Sequence, residues 1–290
     1  MTASSASRPD SRRSRQRGFT LTELAVVFTI VVLLLGSLMY TLSAQMESRN
    51  IGDTQRRLEE ARELVLAFAI VNGRLPCPAS LASNSGDESP AGTGLCTDGY
   101  TGYLPARAIG FTPTDVQGYG VDVWGNRIRY AVSINSNVAG APDYTFTKPP
   151  VSPGTGIKYN FNAATGTSAT PSDLLVCTAY GASGSLSTST PSCGLSTDSP
   201  IGLSATNQNT VVAVVWSQGK NFNTASFGGV AGQASGDEAF NNKTAANSNH
   251  GVFVHHPPRT PFDGNEYDDQ VAWISVNLLY GRMVAAGILP

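Results

Sequence analysis

Gly18-Phe19-Thr20-Leu21-Thr22-Glu23 introduces an apolar run from Leu24 to Leu42, and the reading of this stretch decides the fold. About 19 residues would span about 28 Å as a helix, close to the roughly 30 Å hydrocarbon core of a bilayer. Glu23 stands at the head of that run. An ionised carboxylate among lipid tails costs at least about 2.5 to 3.5 kcal/mol, so it implies a function and a partner. Arg8, Arg12, Arg13, Arg15 and Arg17 precede the run, with Asp10 the nearby acid. That asymmetry predicts a cytoplasmic N-terminus, with everything after Leu42 across the membrane. A secretory signal peptide fits poorly, because its apolar region is about 7 to 15 residues and Leu42-Ser43-Ala44 begins with a large side chain. A plain signal anchor explains the length and the arginines but leaves Glu23 without a purpose.

Arg17-Gly18-Phe19-Thr20-Leu21-Thr22-Glu23-Leu24 resembles the leader junction of the type IV pilin and type II secretion pseudopilin superfamily. The resemblance implies that a prepilin peptidase cuts between Gly18 and Phe19, and that Phe19 becomes the methylated N-terminus. It implies that Glu23, the fifth residue of the processed chain, faces the amine of a neighbouring subunit's Phe19. Removing one partner of such a buried pair costs about 3 to 5 kcal/mol, so the pair fixes the stagger between subunits. Family members without the glutamate are often placed at filament tips; this chain keeps it and is expected below another subunit. The implied partners are the peptidase, other pilin or pseudopilin subunits, an inner-membrane assembly platform and membrane lipid. The implied location is the bacterial inner membrane, single-pass with the head in the periplasm, or a filament drawn from it.

The domain reading follows: leader 1–18, membrane-spanning helix 19–44, amphipathic helix 45–73 and globular head 74–290. Ser43 to Val71 lacks proline and spaces Met46, Ile51, Leu58, Leu64, Val65 and Phe68 as a helical stripe. Gly52 weakens it by about 1 kcal/mol relative to alanine. Gly73 suits a helix C′ position, and Pro76 closes the element. A helix from Phe19 to Asn72 would hold about 54 residues and run roughly 80 Å. The fold class is therefore α+β and pilin-like: a long N-terminal helix on a small antiparallel sheet with long loops.

Within the head, Arg127 to Ile134 alternates, putting Ile128, Tyr130, Val132 and Ile134 on one face and Arg127, Arg129 and Ser133 on the other. This predicts a strand with one buried face. Val211–Trp216 predicts a central strand, Gly251–His255 a shorter one, and Val271–Val276 a third. Asn277–Ala286 predicts a closing helix with Leu278, Leu279 and Met283 inward. The Gly-, Ser- and Asn-rich tracts Gly181–Ser199 and Asn221–Asn249 read as surface excursions. Asp122-Val123-Trp124-Gly125-Asn126 and the strand after it are similar to the Asp-x-Trp-Gly turn of major pseudopilins, although Ile128 stands where that strand carries an aromatic. Gly125 and Asn126 suit the turn, and Trp124 is expected over the sheet edge. Arg74-Leu75-Pro76-Cys77-Pro78, with Cys96 and Gly102-Tyr103-Leu104-Pro105, resembles larger pilin-like proteins. The head exceeds a major shaft subunit's, which points to a minor, initiating or priming position.

The whole chain carries a net charge of -2, and the leader's five arginines and one aspartate leave -6 for the processed chain. An acidic exported domain excludes non-specific nucleic-acid binding as its main work. Four cysteines in such a domain favour disulfides over metal or redox chemistry, and four allow three pairings. Local closure favours Cys77 with Cys96 and Cys177 with Cys193, each closing a loop worth about 3 kcal/mol. His250, His255 and His256 are the only histidines, and adjacent strand residues point to opposite faces. No nucleophile elbow, phosphate loop or dinucleotide fingerprint appears. The expectation is a structural subunit, not an enzyme, with no cofactor and no metal. Asp263-Gly264-Asn265-Glu266-Tyr267-Asp268-Asp269 is oxygen-rich, as calcium sites are, and some pseudopilins bind calcium in an acidic late loop. It fails the EF-hand spacing and reads more simply as a solvated turn, with Asp268 or Asp269 capping or pairing with an arginine. The rival from another class is a membrane-anchored periplasmic binding protein or adhesin that does not polymerise; a hydrolase is third.

Overall fold

The computed structural model describes residues 20–80, 82–83, 85–134, 143–151, 156–162, 167–168, 172–180, 184, 191–196, 199–202, 204–207, 210–220, 222, 237–243, 251–258 and 267–290. For 37–44, 159–162, 167–168, 195–196, 199–202 and 239 the description is of the backbone alone. The chain divides into two compact units, Met1–Arg49 and Asn50–Pro290. Helix α1, Leu21–Asn72, contributes to both.

The 52 residues of α1 contain no proline, which would break the ladder of backbone bonds. The helix ends where Gly73 adopts φ +67°, and Gly73 N–H donates to Ala69 O at 2.8 Å. This left-handed C′ residue is cheap only for glycine. Gly52 is passed without a break. In the first unit the side chains from Leu21 to Gly36 are exposed. Among the described residues no helix is long and apolar enough to cross a membrane. The expected span Leu24–Leu42 runs beyond Gly36 into side chains outside the described set.

In the second unit, α1 buries Thr54, Leu58, Ala61, Val65, Leu66 and Ala69. Their spacing of three, four and one keeps them on one face. The stripe differs from the expected one. Ile51, Leu64 and Phe68 are only half-buried, and Met46, in the first unit, is 64 % exposed. Small residues, Ala61 and Ala69, occupy the centre of the buried face, a role that apolar periodicity based on large side chains misses.

The remaining elements in chain order are α2 (Ala106–Ile109), β1 (Arg129–Val132), α3 (Gly156–Asn160), β2 (Phe161–Asn162) and β3 (Thr167–Ser168). They continue with β4 (Leu175–Cys177), β5 (Leu195–Ser196), β6 (Ser199–Gly202), β7 (Val211–Ser217) and α4 (Glu238–Asn241). β8 (Val252–Val254), β9 (Gln270–Ser275) and α5 (Val276–Ala285) complete the chain. The main sheet is antiparallel with order β1-β7-β9. Tyr130 faces Val215 across the first pair, and Val214 faces Trp273 across the second. Every residue of β7 is buried, as a strand covered on both faces must be. Separate two-stranded pairs join β2 to β3, β5 to β6 and, in parallel, β4 to β8.

The sheet, the buried stripe of α1 and α5 share one core, in which Trp216 is the largest fully buried side chain. Ser275 caps α5, accepting from Leu278 N–H at 3.2 Å, and Leu279, Tyr280 and Met283 turn inward, with Leu278 half-buried. A second, smaller core collects Leu175, Cys177, Cys193, Val252, Val254 and Tyr267. Disulfides join Cys77 to Cys96 and Cys177 to Cys193.

Two expectations need correction. Strand β1 is buried on both faces, because Arg129 lies under the rings of Tyr103 and Trp216 and donates to Lys243 O at 2.5 Å. The guanidinium is weakly hydrated and stacks on aromatic faces, so it tolerates that position better than a lysine would. The tract Asn221–Asn249 is not wholly a surface excursion: it contains α4, and Glu238, Asn241 and Lys243 are buried. Gly125 turns the Asp122–Asn126 loop with φ +83°, and Asp122 Oδ1 accepts from Asn126 N–H at 2.8 Å. Trp124 there is half-exposed; Trp216 is the tryptophan that fills the core.

Candidate functional site

Gly18 and Phe19 lie outside the described residues. One residue further on, Thr20 and Glu23 are fully visible. Glu23 Oε2 accepts from Thr20 N–H and from Thr20 Oγ1, both at 2.9 Å, while Glu23 N–H donates to Thr20 Oγ1 at 3.3 Å. This is a reciprocal capping box that satisfies donors left over at the helix start. The Thr20-x-x-Glu23 spacing is legible in the sequence, yet a reading that treats Glu23 only as a buried charge passes over it. In the unassembled chain the carboxylate is exposed and holds its own helix terminus. A negative side chain in the first turn also complements the helix dipole.

In the head, the acidic residues gather differently from expectation. Asp263 to Glu266 lie outside the described residues. Asp268 and Asp269 are buried and do not form a solvated turn; they meet Glu238, some thirty residues away in sequence. One carboxylate oxygen from each of the three lies within 4.8 Å of the others. Asp268 N–H donates to Glu238 Oε1 at 2.8 Å, and Lys220 N–H donates to Asp268 Oδ2 at 3.0 Å. The turn at Gly219 comes so close to Asp268 that a Cβ there would strike its carboxylate. Burial, then the charges of Glu238 and Asp268, push the Asp269 carboxyl well above the usual carboxylate range, against the opposing hydrogen bond from Asn241. Hard oxygen donors of this kind suit a divalent cation, but backbone groups already engage two of the three.

His255 and His256 point apart. His255 meets Trp273 edge-on at 5.5 Å, whereas His256 lies against the Tyr267 ring at 3.7 Å, with its Nε2 3.3 Å from Asp237 Oδ2. Burial and the neighbouring His256 push the His255 imidazole below its ordinary value. His250 lies outside the described residues. Nothing in this arrangement joins a nucleophile to a base among the described residues.

Sequence comparison bears on the first of these sites. Residues 13–39 match the prokaryotic N-terminal methylation motif, the signature of type IV pilins and pseudopilins. The match contains Gly18, Phe19, Thr20 and Glu23 and implies processing by a prepilin peptidase and assembly with other pilin subunits. No characterised protein and no solved structure matches the chain.

Proposed function

We propose that the chain is a structural subunit of a type II secretion pseudopilus or type IV pilus, and not an enzyme. Prepilin peptidase cuts at Gly18–Phe19, and Phe19 is N-methylated. The observation that carries this reading is the methylation motif over residues 13–39. The α+β architecture of a long N-terminal helix and a small antiparallel sheet supports it.

In this reading residues 19–44 hold the subunit in the inner membrane with its head in the periplasm. Before assembly, Glu23 caps its own helix through Thr20. In the filament a neighbouring Phe19 amine takes up the carboxylate, and only the correct stagger brings the two together. The capping bonds to the ionised carboxylate are already charge-assisted; the ammonium replaces their neutral donors with a full positive charge, which strengthens the contact. The size of the head supports a minor, initiating or priming position for the subunit.

The test is the mass of the N-terminal peptide from membranes of cells with active leader peptidase. A chain starting at Phe19 and carrying one methyl group is expected; a chain that keeps its arginine-rich leader refutes the reading. Glu23→Val separates a subunit from a non-polymerising binding protein or adhesin. A subunit loses co-assembly while processing continues, whereas an anchor is unaffected.

A further inference from the structure

The chain leaving β8 is fastened to the start of α4 through one histidine. His256 and Asp237 have side chains 14 % exposed, and ring Nε2 is shielded from water with Asp237 Oδ2 3.3 Å away. Nδ1 lies 2.9 Å from Pro257 O, and the ring rests on Tyr267 at 3.7 Å. Asp237 Oδ1 accepts from Tyr180 N–H at 3.3 Å, and Tyr180 packs against Phe240 of α4 at 4.2 Å. One carboxylate thus joins three segments: the stretch after β4, the head of α4 and the stretch after β8.

Both ring nitrogens face oxygens that can only accept. A neutral imidazole carries one N–H and one bare lone pair. With the hydrogen on Nδ1, a buried lone pair is set against a carboxylate; with the hydrogen on Nε2, the lone pair of Nδ1 is set against a carbonyl. Only the imidazolium, a donor at each nitrogen, matches both neighbours, and it does so whichever tautomer the neutral ring would take. The surrounding charges agree. Glu238 follows Asp237, and Asp268 meets it from the chain entering β9, where Asp269, its carboxyl raised, adds least charge. Burial pushes the Tyr267 phenol up, so it stays neutral. Burial and His256 push the adjoining His255 down, so it stays uncharged when His256 is charged. From α1, Glu59 and Arg62 line the same cavity as His256 but offset one another in a 2.6 Å pair. The balance around the ring is negative among the described residues.

We propose that His256 and Asp237 form a proton-operated clasp. With the ring doubly protonated, the end of β8 is pinned to α4 and the small core is closed. When a proton leaves, the pin loosens and segment 237–243 gains freedom. The closed clasp holds a proton that the open one releases, so by linkage it is favoured in acid and weakens as pH rises. Asn241 O, in the same segment, accepts from Trp216 Nε1 at 3.1 Å, which carries the change to the large core. The inference concerns the head alone and stands or falls independently of how the N-terminus is processed.

The test is hydrogen exchange of the full chain in detergent micelles, read on peptides covering 237–243 and β7. Variants and wild type are compared with each other at about pH 5.5 and again at about pH 8.5. Asp237→Asn keeps an oxygen for Tyr180 N–H and removes the charge; His256→Phe keeps a ring on Tyr267 and removes both nitrogens. At the lower pH each is expected to speed exchange over 237–243 about fivefold, between the worth of an exposed ion pair and that of a buried charge-assisted bond. The double variant should exchange no faster than either single one, and at the higher pH all four chains should converge. Unchanged exchange over β7 shows that a variant is folded, and either single variant carries the test if the other is not. No difference from wild type at the lower pH, the same difference at both, or additive effects in the double variant would each overturn the proposal.

Discussion

Replacing Glu88 with glutamine tests how much of the head depends on one buried ion pair. Arg74 and Glu88 have side chains 6 % and 8 % exposed, and the guanidinium grips the carboxylate with bonds of 2.9 and 2.6 Å. The same carboxylate accepts from Cys77 N–H at 3.2 Å and Gly92 N–H at 2.9 Å, so four donors converge on it inside the Cys77–Cys96 loop. Glutamine offers one acceptor oxygen and turns an NH2 group toward the other donors. At least two of the four lose their partner, and the arginine charge is left uncompensated. Each buried unmatched group costs about 1 to 3 kcal/mol, and breaking a buried pair from one side costs about 3 to 5 kcal/mol. For a domain of this size each kcal/mol moves Tm by about 2 to 4 °C, so a fall of roughly 6 to 20 °C is expected. Thermal unfolding of the full chain in detergent at pH 7, with the disulfides intact, measures it. The loss has a pH signature. Burial raises the Glu88 carboxyl, but Arg74 and the two backbone donors outweigh it and hold the group below its ordinary value. A depressed carboxyl contributes stability above its unfolded pKa of about 4.3 and loses it as pH falls through the folded value. The gap between wild type and Glu88→Gln should therefore close in acid. Replacing both partners, as Arg74→Met with Glu88→Met, should cost less than Glu88→Gln alone. A single variant within about 1 kcal/mol of wild type at pH 7, inside the range of exposed ion pairs, would refute the reasoning.

Two further outcomes follow from the packing. Asp269 holds its proton more tightly folded than unfolded, so the folded head binds more protons above about pH 4 and loses stability as pH rises through the raised value. Asp269→Asn should thus raise Tm more at pH 7.5 than at pH 4.5, and an equal or negative change at both would contradict the assignment. Ser275→Ala removes the cap of α5 and should cost about 1 kcal/mol, or about 2 to 4 °C in Tm, read in the same unfolding assay.

Helix α1 was legible almost to the residue, because the absence of proline, the glycine at 73 and Pro76 are local signals. The strands β7 and β9 and the helix α5 were legible as apolar runs for the same reason. Burial on the second face of β1 was not. Arg129 looks like a solvent-facing residue until Trp216, Tyr103 and the Lys243 carbonyl arrive from distant segments to cover it. The acidic cluster was half visible: Asp268 and Asp269 end an obviously acidic stretch of sequence, but Glu238 comes from a tract whose Gly and Asn content hides a four-residue helix too short to show a period. At the N-terminus the motif around Gly18 and Glu23 was plain; the Thr20-x-x-Glu23 cap is just as local, but weighing Glu23 only as a charge among lipid tails passes over it.

The residues around α4 change what counts as dispensable in the head. Trp216 Nε1 donates to Asn241 O at 3.1 Å, Asn241 Nδ2 donates to Val254 O at 2.9 Å, and Lys243 Nζ donates to Val252 O at 2.6 Å while resting on the Phe253 ring. Segment 237–243 is thus a keystone wedged between the large core and the small one. Trimming the stretch from 221 to 249 as filler would take the acceptor from the Trp216 indole N–H and leave β4 and β8, whose alternate residues face the two cores, to hold them together. A shortened version meant for crystallisation should keep 237–243 and do its cutting on either side.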